Sequence, residues 1–197
     1  GSARFWSLFQ RRLEIYRMNY PKTTLSFDSI AQLYPKYSFD DLAAHPAIVC
    51  IPYQISLMSF FEWYRMCIPI FVPSVELLVH WHLDYQLLHE RTWAQVRTGH
   101  PSKGSTLNQH SSVEAHLEDP NDDSSVAALR QWLAMSDFYV WPHVIQFESW
   151  DHLFDLLLST DLVEVSTRMK RTNEEIQRET IKTWQHVLQK MHHVALQ

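Results

Sequence analysis

The fold is decided between Ala47 and Ser74, AIVCIPYQISLMSFFEWYRMCIPIFVPS. Ala47-Ile48-Val49-Cys50-Ile51 is a compact apolar run that stops at Pro52. Ile68 to Val72, carrying Pro69, is a second run that stops at Pro73-Ser74. Short β-branched runs closed by proline read as buried strands of a mostly parallel sheet. Between them, Ser56 to Cys67 has neither Gly nor Pro and places Leu57, Phe60, Phe61 and Tyr64 at helical spacing. Strand, helix, strand is a crossover that sets the helix N-terminus at the carboxyl edge of the sheet. First-turn N–H groups and the helix dipole favour a bound anion there. The spacing predicts Ser56 and Ser59 in that first turn, with Glu62 one turn on, beside Met58 and Ser59. N–H groups for phosphates and a carboxylate for ribose hydroxyls are how a nucleotide is held. Tyr53 and Gln54, in the strand-to-helix loop, are then the candidates for base or sugar contacts. The plainer alternative is a buried crossover whose Glu62 faces solvent.

Composition narrows the classes. A chain of 197 residues is one domain with a real core, and 46% hydrophobic against 20% charged residues is globular. A net charge of −5 gives no electrostatic footprint for nucleic acid. No apolar run approaches the roughly 20 residues of a membrane span, and Phe5 to Phe9 is cut short by Gln10-Arg11-Arg12, so no cleavable leader is read. Cys50 and Cys67 both fall in the core stretch and read as packing residues. The three glycines, Gly1, Gly99 and Gly104, cannot build a P-loop, a dinucleotide fingerprint or a nucleophile elbow. That excludes ordinary NTPase, dehydrogenase and α/β-hydrolase sites.

Around the crossover the chain is helix-rich. Arg4 to Met18 predicts an amphipathic helix with Phe5, Leu8, Phe9, Leu13 and Tyr16 on one side. A short helix is expected near Phe27 to Leu33, and Ser38-x-x-Asp41 has the form of a capping box. Val75 to about Arg97 reads as one long helix burying Leu77, Leu78, Trp81, Tyr85, Leu88 and Trp93. Its His80, His82 and His89 lack the four-residue spacing of a helical metal pair, so no metal site is assigned. Residues 98–125 read as a long surface loop in which Lys103 is a solvated lysine or a phosphate contact. Order resumes with a helix from Val126 to Met135, capped from Asn121 to Ser124. A third strand follows between Asp137 and Phe147, with His143 near its start, and then a helix capped by Ser149. Asp161 to Glu164 is a turn or short helical piece, and a terminal helix from Val165 packs through Met169, Ile176, Thr180, Ile181, Trp184 and Leu188. The fold class is α/β: a small, mostly parallel Rossmann-like sheet of about three strands among many helices, in a single domain over residues 1–197.

Glu62-Trp-Tyr-Arg-Met-Cys67-Ile-Pro69 followed by Ile-Phe-Val resembles the E-A-x-x-x-G-x-P-V segment of GT-B glycosyltransferases, exostosin-like in a general sense. The Glu-to-Pro spacing matches, as does the preceding strand ending at Pro52; Cys67 stands where that family has glycine. The likeness covers about 30 residues well, and "V-I-x-F-x-S-W-x-x-L" from Val144 looks like a later βα unit of the same half. The resemblance implies the C-terminal, donor-binding half of a metal-independent glycosyltransferase, with no permanently bound cofactor and a nucleotide sugar as substrate. It further implies Ser56 and Ser59 at the diphosphate, Glu62 at the ribose, and a sugar or glycan acceptor held by an N-terminal half outside this sequence. A full-length protein of that kind with a membrane anchor would sit in the secretory pathway, at the Golgi. No catalytic residue is assigned. The alternative is a non-catalytic, helix-rich interaction module that binds a protein or glycan through an aromatic and His-rich face, with Glu62 on the outside or paired to Arg65. A histidine-based metallohydrolase fits worst.

Overall fold

The computed structural model describes residues 2–88, 93–100, 102, 104 and 117–195. Within them the chain runs α1 (Ser2–Asn19), α2 (Ile30–Leu33), α3 (Phe39–Ala43), β1 (Ile48–Val49), α4 (Met58–Arg65), β2 (Ile70–Pro73) and α5 (Val75–Tyr85). It continues through α6 (Trp93–Thr98), α7 (Val126–Ala134), α8 (Asp137–Val140), β3 (Ile145–Phe147), α9 (Trp150–Ser159) and α10 (Leu162–Ala195). The three strands lie in the order β1-β2-β3. Both pairs are parallel, Ile48 opposite Ile70 and Phe71 opposite Ile145. The expected α/β class with a small parallel sheet among many helices is what the chain forms.

Strand alternation sorts β2 between two cores. Phe71 points to one face, where it joins Phe147 and the buried sides of α1, α5, α7 and α9. Ile70 and Val72 point to the other, where Cys50 and Phe60 and Tyr64 of α4 meet Phe138 of α8 and Met169 of α10. All four residues of β2 are buried, as a central strand covered on both faces requires. α1 buries Phe5, Phe9, Leu13 and Tyr16, four of the five positions its periodicity picks out; Leu8 is half-buried.

Local chemistry sets the ends of the helices. Ser38 and Asp41 form the expected capping box at α3. Ser74, Ser125 and Ser149 each accept a first-turn N–H, at α5, α7 and α9. The cap of α7 is therefore Ser125 itself, one residue beyond the expected Asn121 to Ser124. Side-chain caps of this kind contribute about 1 kcal/mol each.

Several boundaries differ from expectation. The strands are shorter than the apolar runs, because only Ile48–Val49 and Ile70–Pro73 find ladder partners. The long helix expected from Val75 to Arg97 breaks after Tyr85. Gln86 turns left-handed at φ 56°, its N–H reaches the carbonyl of His82 at 2.7 Å, and His82 Nδ1 accepts the Leu88 N–H at 3.1 Å. That turn carries Leu87 and Leu88 into the core. Burying two leucines stabilises by about 3–6 kcal/mol, more than the roughly 1–2 kcal/mol of one left-handed residue. His89 and Lys103, like half of the expected 98–125 loop, lie outside the described residues. Of the turn or short helical piece expected from Asp161 to Glu164, the helical form is found: Leu162 to Glu164 open α10, and Asp161 Oδ1 accepts the Glu164 N–H at 2.9 Å. Only Met169 of its expected packing residues is fully buried; Ile176 is half-buried, and Thr180, Ile181, Trp184 and Leu188 are exposed.

Candidate functional site

Three helices begin at the carboxyl edge of the sheet: α4 after β1, α5 after β2 and α9 after β3. Two of the three starts are closed by their own serine caps. The third, α4, has no side-chain cap: its N-cap is Leu57, whose carbonyl accepts the Phe60 N–H at 3.1 Å, and among the described residues no side chain accepts from Met58 or Ser59. An uncapped helix start of this kind leaves N–H groups and the positive end of the dipole available to an anion.

The candidate residues lie in the loop before that start and in the first two turns of α4. Tyr53 is 41% exposed in the loop after β1, Gln54 is half-buried there, and Ser59 is half-buried in the first turn of α4. Ser56 is displaced from expectation: the helix begins at Met58, so Ser56 precedes the N-cap and is not in the first turn. Its hydroxyl donates to Asp137 Oδ2 at 3.1 Å, tying the loop to α8. A carboxylate on Ser56 disfavours a phosphate at that hydroxyl, so electrostatics shift the weight of any anion contact toward Ser59 and the backbone of the first turn. Glu62 is exposed in the second turn. Among the described residues it makes no ion pair with Arg65, although three exposed Lys/Arg–Glu pairs form elsewhere, such as Arg130 with Glu76 at 2.6 Å.

The floor of this edge is neutral. Burial pushes the Cys50 thiol up to about 12. Burial, with a smaller effect of the nearby Cys50, raises the Tyr139 hydroxyl well above its ordinary value. Tyr139 donates to the carbonyl of Pro73 at 2.8 Å, and the Ser74 N–H donates to the carbonyl of Phe147 at 2.8 Å, so the ends of β2, β3 and α8 are fixed to one another. Neither Cys50 nor Tyr139 is a base at neutral pH. The arrangement can hold and orient an anion; the Ser56 hydroxyl, with Asp137 Oδ2 beside it, ties the loop to α8.

The far end of α4 is equally specific. Cys67 stands at φ 59°, its N–H donating to the carbonyl of Tyr64 at 3.0 Å, while the Ile68 N–H donates to that of Trp63 at 3.2 Å. This is a Schellman stop, whose left-handed position is ordinarily glycine. Ile68 and Trp63 share one apolar cluster, the contact that accompanies such a stop. Asn173 of α10 adds an Nδ2 bond to the same Tyr64 carbonyl at 3.0 Å. His143, also left-handed at φ 66°, meets Thr172 Oγ1 at 3.1 Å and supports the junction of β3 with α10; it takes no part at the carboxyl edge.

Asp137 and Tyr139 were not legible as part of this region. Each reaches a partner more than sixty positions away, and no local motif marks either one. Among the described residues no group of three His, Cys, Asp or Glu side chains is placed to hold a metal ion. None of the helices searched among those residues is long and apolar enough to cross a membrane. An open groove along Glu175, Ile176, Glu179, Thr180, Thr183 and Trp184 is lined by α10 alone and includes none of the candidate residues. Comparison with known proteins finds no family model, no curated protein and no solved structure that matches the chain.

Proposed function

We propose that the chain binds the nucleotide diphosphate of a nucleotide sugar at the start of α4, as the donor-binding portion of a GT-B type glycosyltransferase. The observation that carries the reading is the N-terminus of α4, without a side-chain cap where α5 and α9 at the same carboxyl edge are capped by serine, at the edge where ligands of open α/β folds bind. First-turn N–H groups and the Ser59 hydroxyl take the phosphates. Glu62 takes ribose hydroxyls, and Tyr53 and Gln54 border the base or sugar. Ser56 contributes by holding the loop to Asp137. The Schellman stop supports the resemblance independently, because Cys67, standing where GT-B enzymes have glycine, adopts the backbone conformation that favours glycine. The acceptor, a sugar or glycan, and the catalytic groups come from outside this region.

The test is a thermal-shift titration of the chain with UDP, GDP and their sugar conjugates. A ligand at 100 times its Kd adds about 2.7 kcal/mol of stability. One nucleotide should stabilise the wild type, and Glu62→Ala and Ser59→Ala should each weaken that response by about tenfold in Kd, the loss of one hydrogen bond to a charged or polar ligand group. A flat response to every nucleotide at millimolar concentration would remove the proposal.

A further inference from the structure

α10 has 34 residues, about 51 Å of helix, and among the described residues its packing on the body lies in its first half. Val165 and Met169 pack onto the α4 side of the sheet, and Asn173 bonds to the end of α4. Steps of three or four carry that same face forward through Ile176, Thr180, Trp184, Val187, Leu188 and Met191. Past Ile176 the face leaves the body: Trp184 is 61% exposed, Leu188 59% and Met191 62%, with Ile181 at 50% beside them. Charged residues occupy the other sides of the helix, among them Glu175, Glu179, Lys182 and Lys190.

We propose that this stripe is covered by the same stripe of a second copy of the chain, the two α10 helices lying antiparallel about a two-fold axis near Trp184 and Gln185. The occupant has to be narrow. The exposed stripe continues the face that packs on the body, so a flat bilayer laid against it would run into the body, whereas a second helix fits alongside the projecting half. Charge favours self-pairing. Glu179 and Lys190 lie on one flank of the stripe at equal distances from the proposed axis. Antiparallel pairing sets Glu179 of each copy opposite Lys190 of the other, twice, and on the other flank sets Ile181 opposite Leu188, twice. The Glu179–Lys182 pair within one helix, both side chains exposed, is easily exchanged for this one. The apolar side chains of the two copies would remove on the order of 1,000 Å² from water, at the low end of specific interfaces, so association in the micromolar range is expected. This proposal is independent of nucleotide binding.

The experiment is sedimentation equilibrium of the whole chain from 1 to 100 µM, chosen to bracket a Kd of about 10 µM. The wild type should pass from monomer to dimer across that range. Trp184→Asp should remain monomeric throughout with an unchanged circular dichroism spectrum. Glu179→Lys and Lys190→Glu should each raise Kd about tenfold, as two symmetric pairs become two repulsions, and the doubly exchanged chain should return to within about a factor of two of wild type. A wild type that stays monomeric at 100 µM overturns the proposal. So does a dimer indifferent to Trp184→Asp, or a charge exchange that fails to restore association. Monomer that co-sediments with vesicles containing phosphatidylserine would assign the stripe to lipid and overturn it as well.

Discussion

Phe71→Ala is expected to lower the free energy of unfolding by about 3–5 kcal/mol, a large share of the roughly 5–15 kcal/mol of an ordinary domain. Phe71 sits on the central strand, is fully buried, and lies on the face where α1, α5, α7 and α9 converge. Truncation loses the transfer free energy of the ring and leaves a void. The neighbours cannot close it, because Phe71 is held in register with Val49 on one side and Ile145 on the other. Phe71→Leu, which keeps most of the volume, should cost clearly less. Urea unfolding at constant m-value measures both. A loss below about 1 kcal/mol for the alanine variant would mean that this face is not close-packed.

Trp81→Ala is expected to cost a similar amount, about 3–5 kcal/mol, by a different route. Trp81 of α5 stacks on Trp150 of α9 with centroids 4.3 Å apart and ring planes 26° apart. Phe5 of α1 meets Trp81 edge-on at 5.0 Å and packs tilted against Trp150 at 5.4 Å, so three helices from three parts of the chain share one aromatic cluster. Removing Trp81 loosens all three at once. In a double-mutant cycle with Trp150→Ala, a coupling of about 0.5–1.5 kcal/mol is expected from ring geometry beyond area burial. Strict additivity would show that the rings contribute only through the area they cover.

The crossover from Ala47 to Ser74 was legible because several signals agreed there. Proline-bounded apolar runs, a helical repeat without Gly or Pro, and a serine at the next helix start all pointed one way. The caps at Ser38 and Ser149 were legible for the same reason: a cap is a relation between residues three apart. What could not be read depended on distant partners. The break at Gln86 has no Gly or Pro to announce it, and arises because Leu87 and Leu88 gain more from the core than the helix gains from continuing. Ser56 carried the phosphate chemistry expected of a helix start, yet Leu57 became the cap and Asp137 took the hydroxyl from 81 positions away. Of the apolar stripe read as the packing side of α10, Met169 packs on the body and Ile176 is half-buried, but from Thr180 on the stripe is exposed among the described residues, which the periodicity alone could not show.

The parallel pairing also dictates an order of events in time. Ile48 and Ile70 are joined by little more than α4, whereas Phe71 meets Ile145 only after the chain has passed through α5, α6, α7 and α8. Closing the longer loop costs more entropy before any contact repays it, so the first pair forms early and β3 arrives late. Ile70→Val should therefore slow folding in stopped-flow experiments, while Ile145→Val should mainly speed unfolding; the reverse partition would place the nucleus at β3. Until β3 docks, one edge of an apolar central strand stands open to other chains. The interval before that docking, more than the finished fold, is when this protein is most exposed to aggregation.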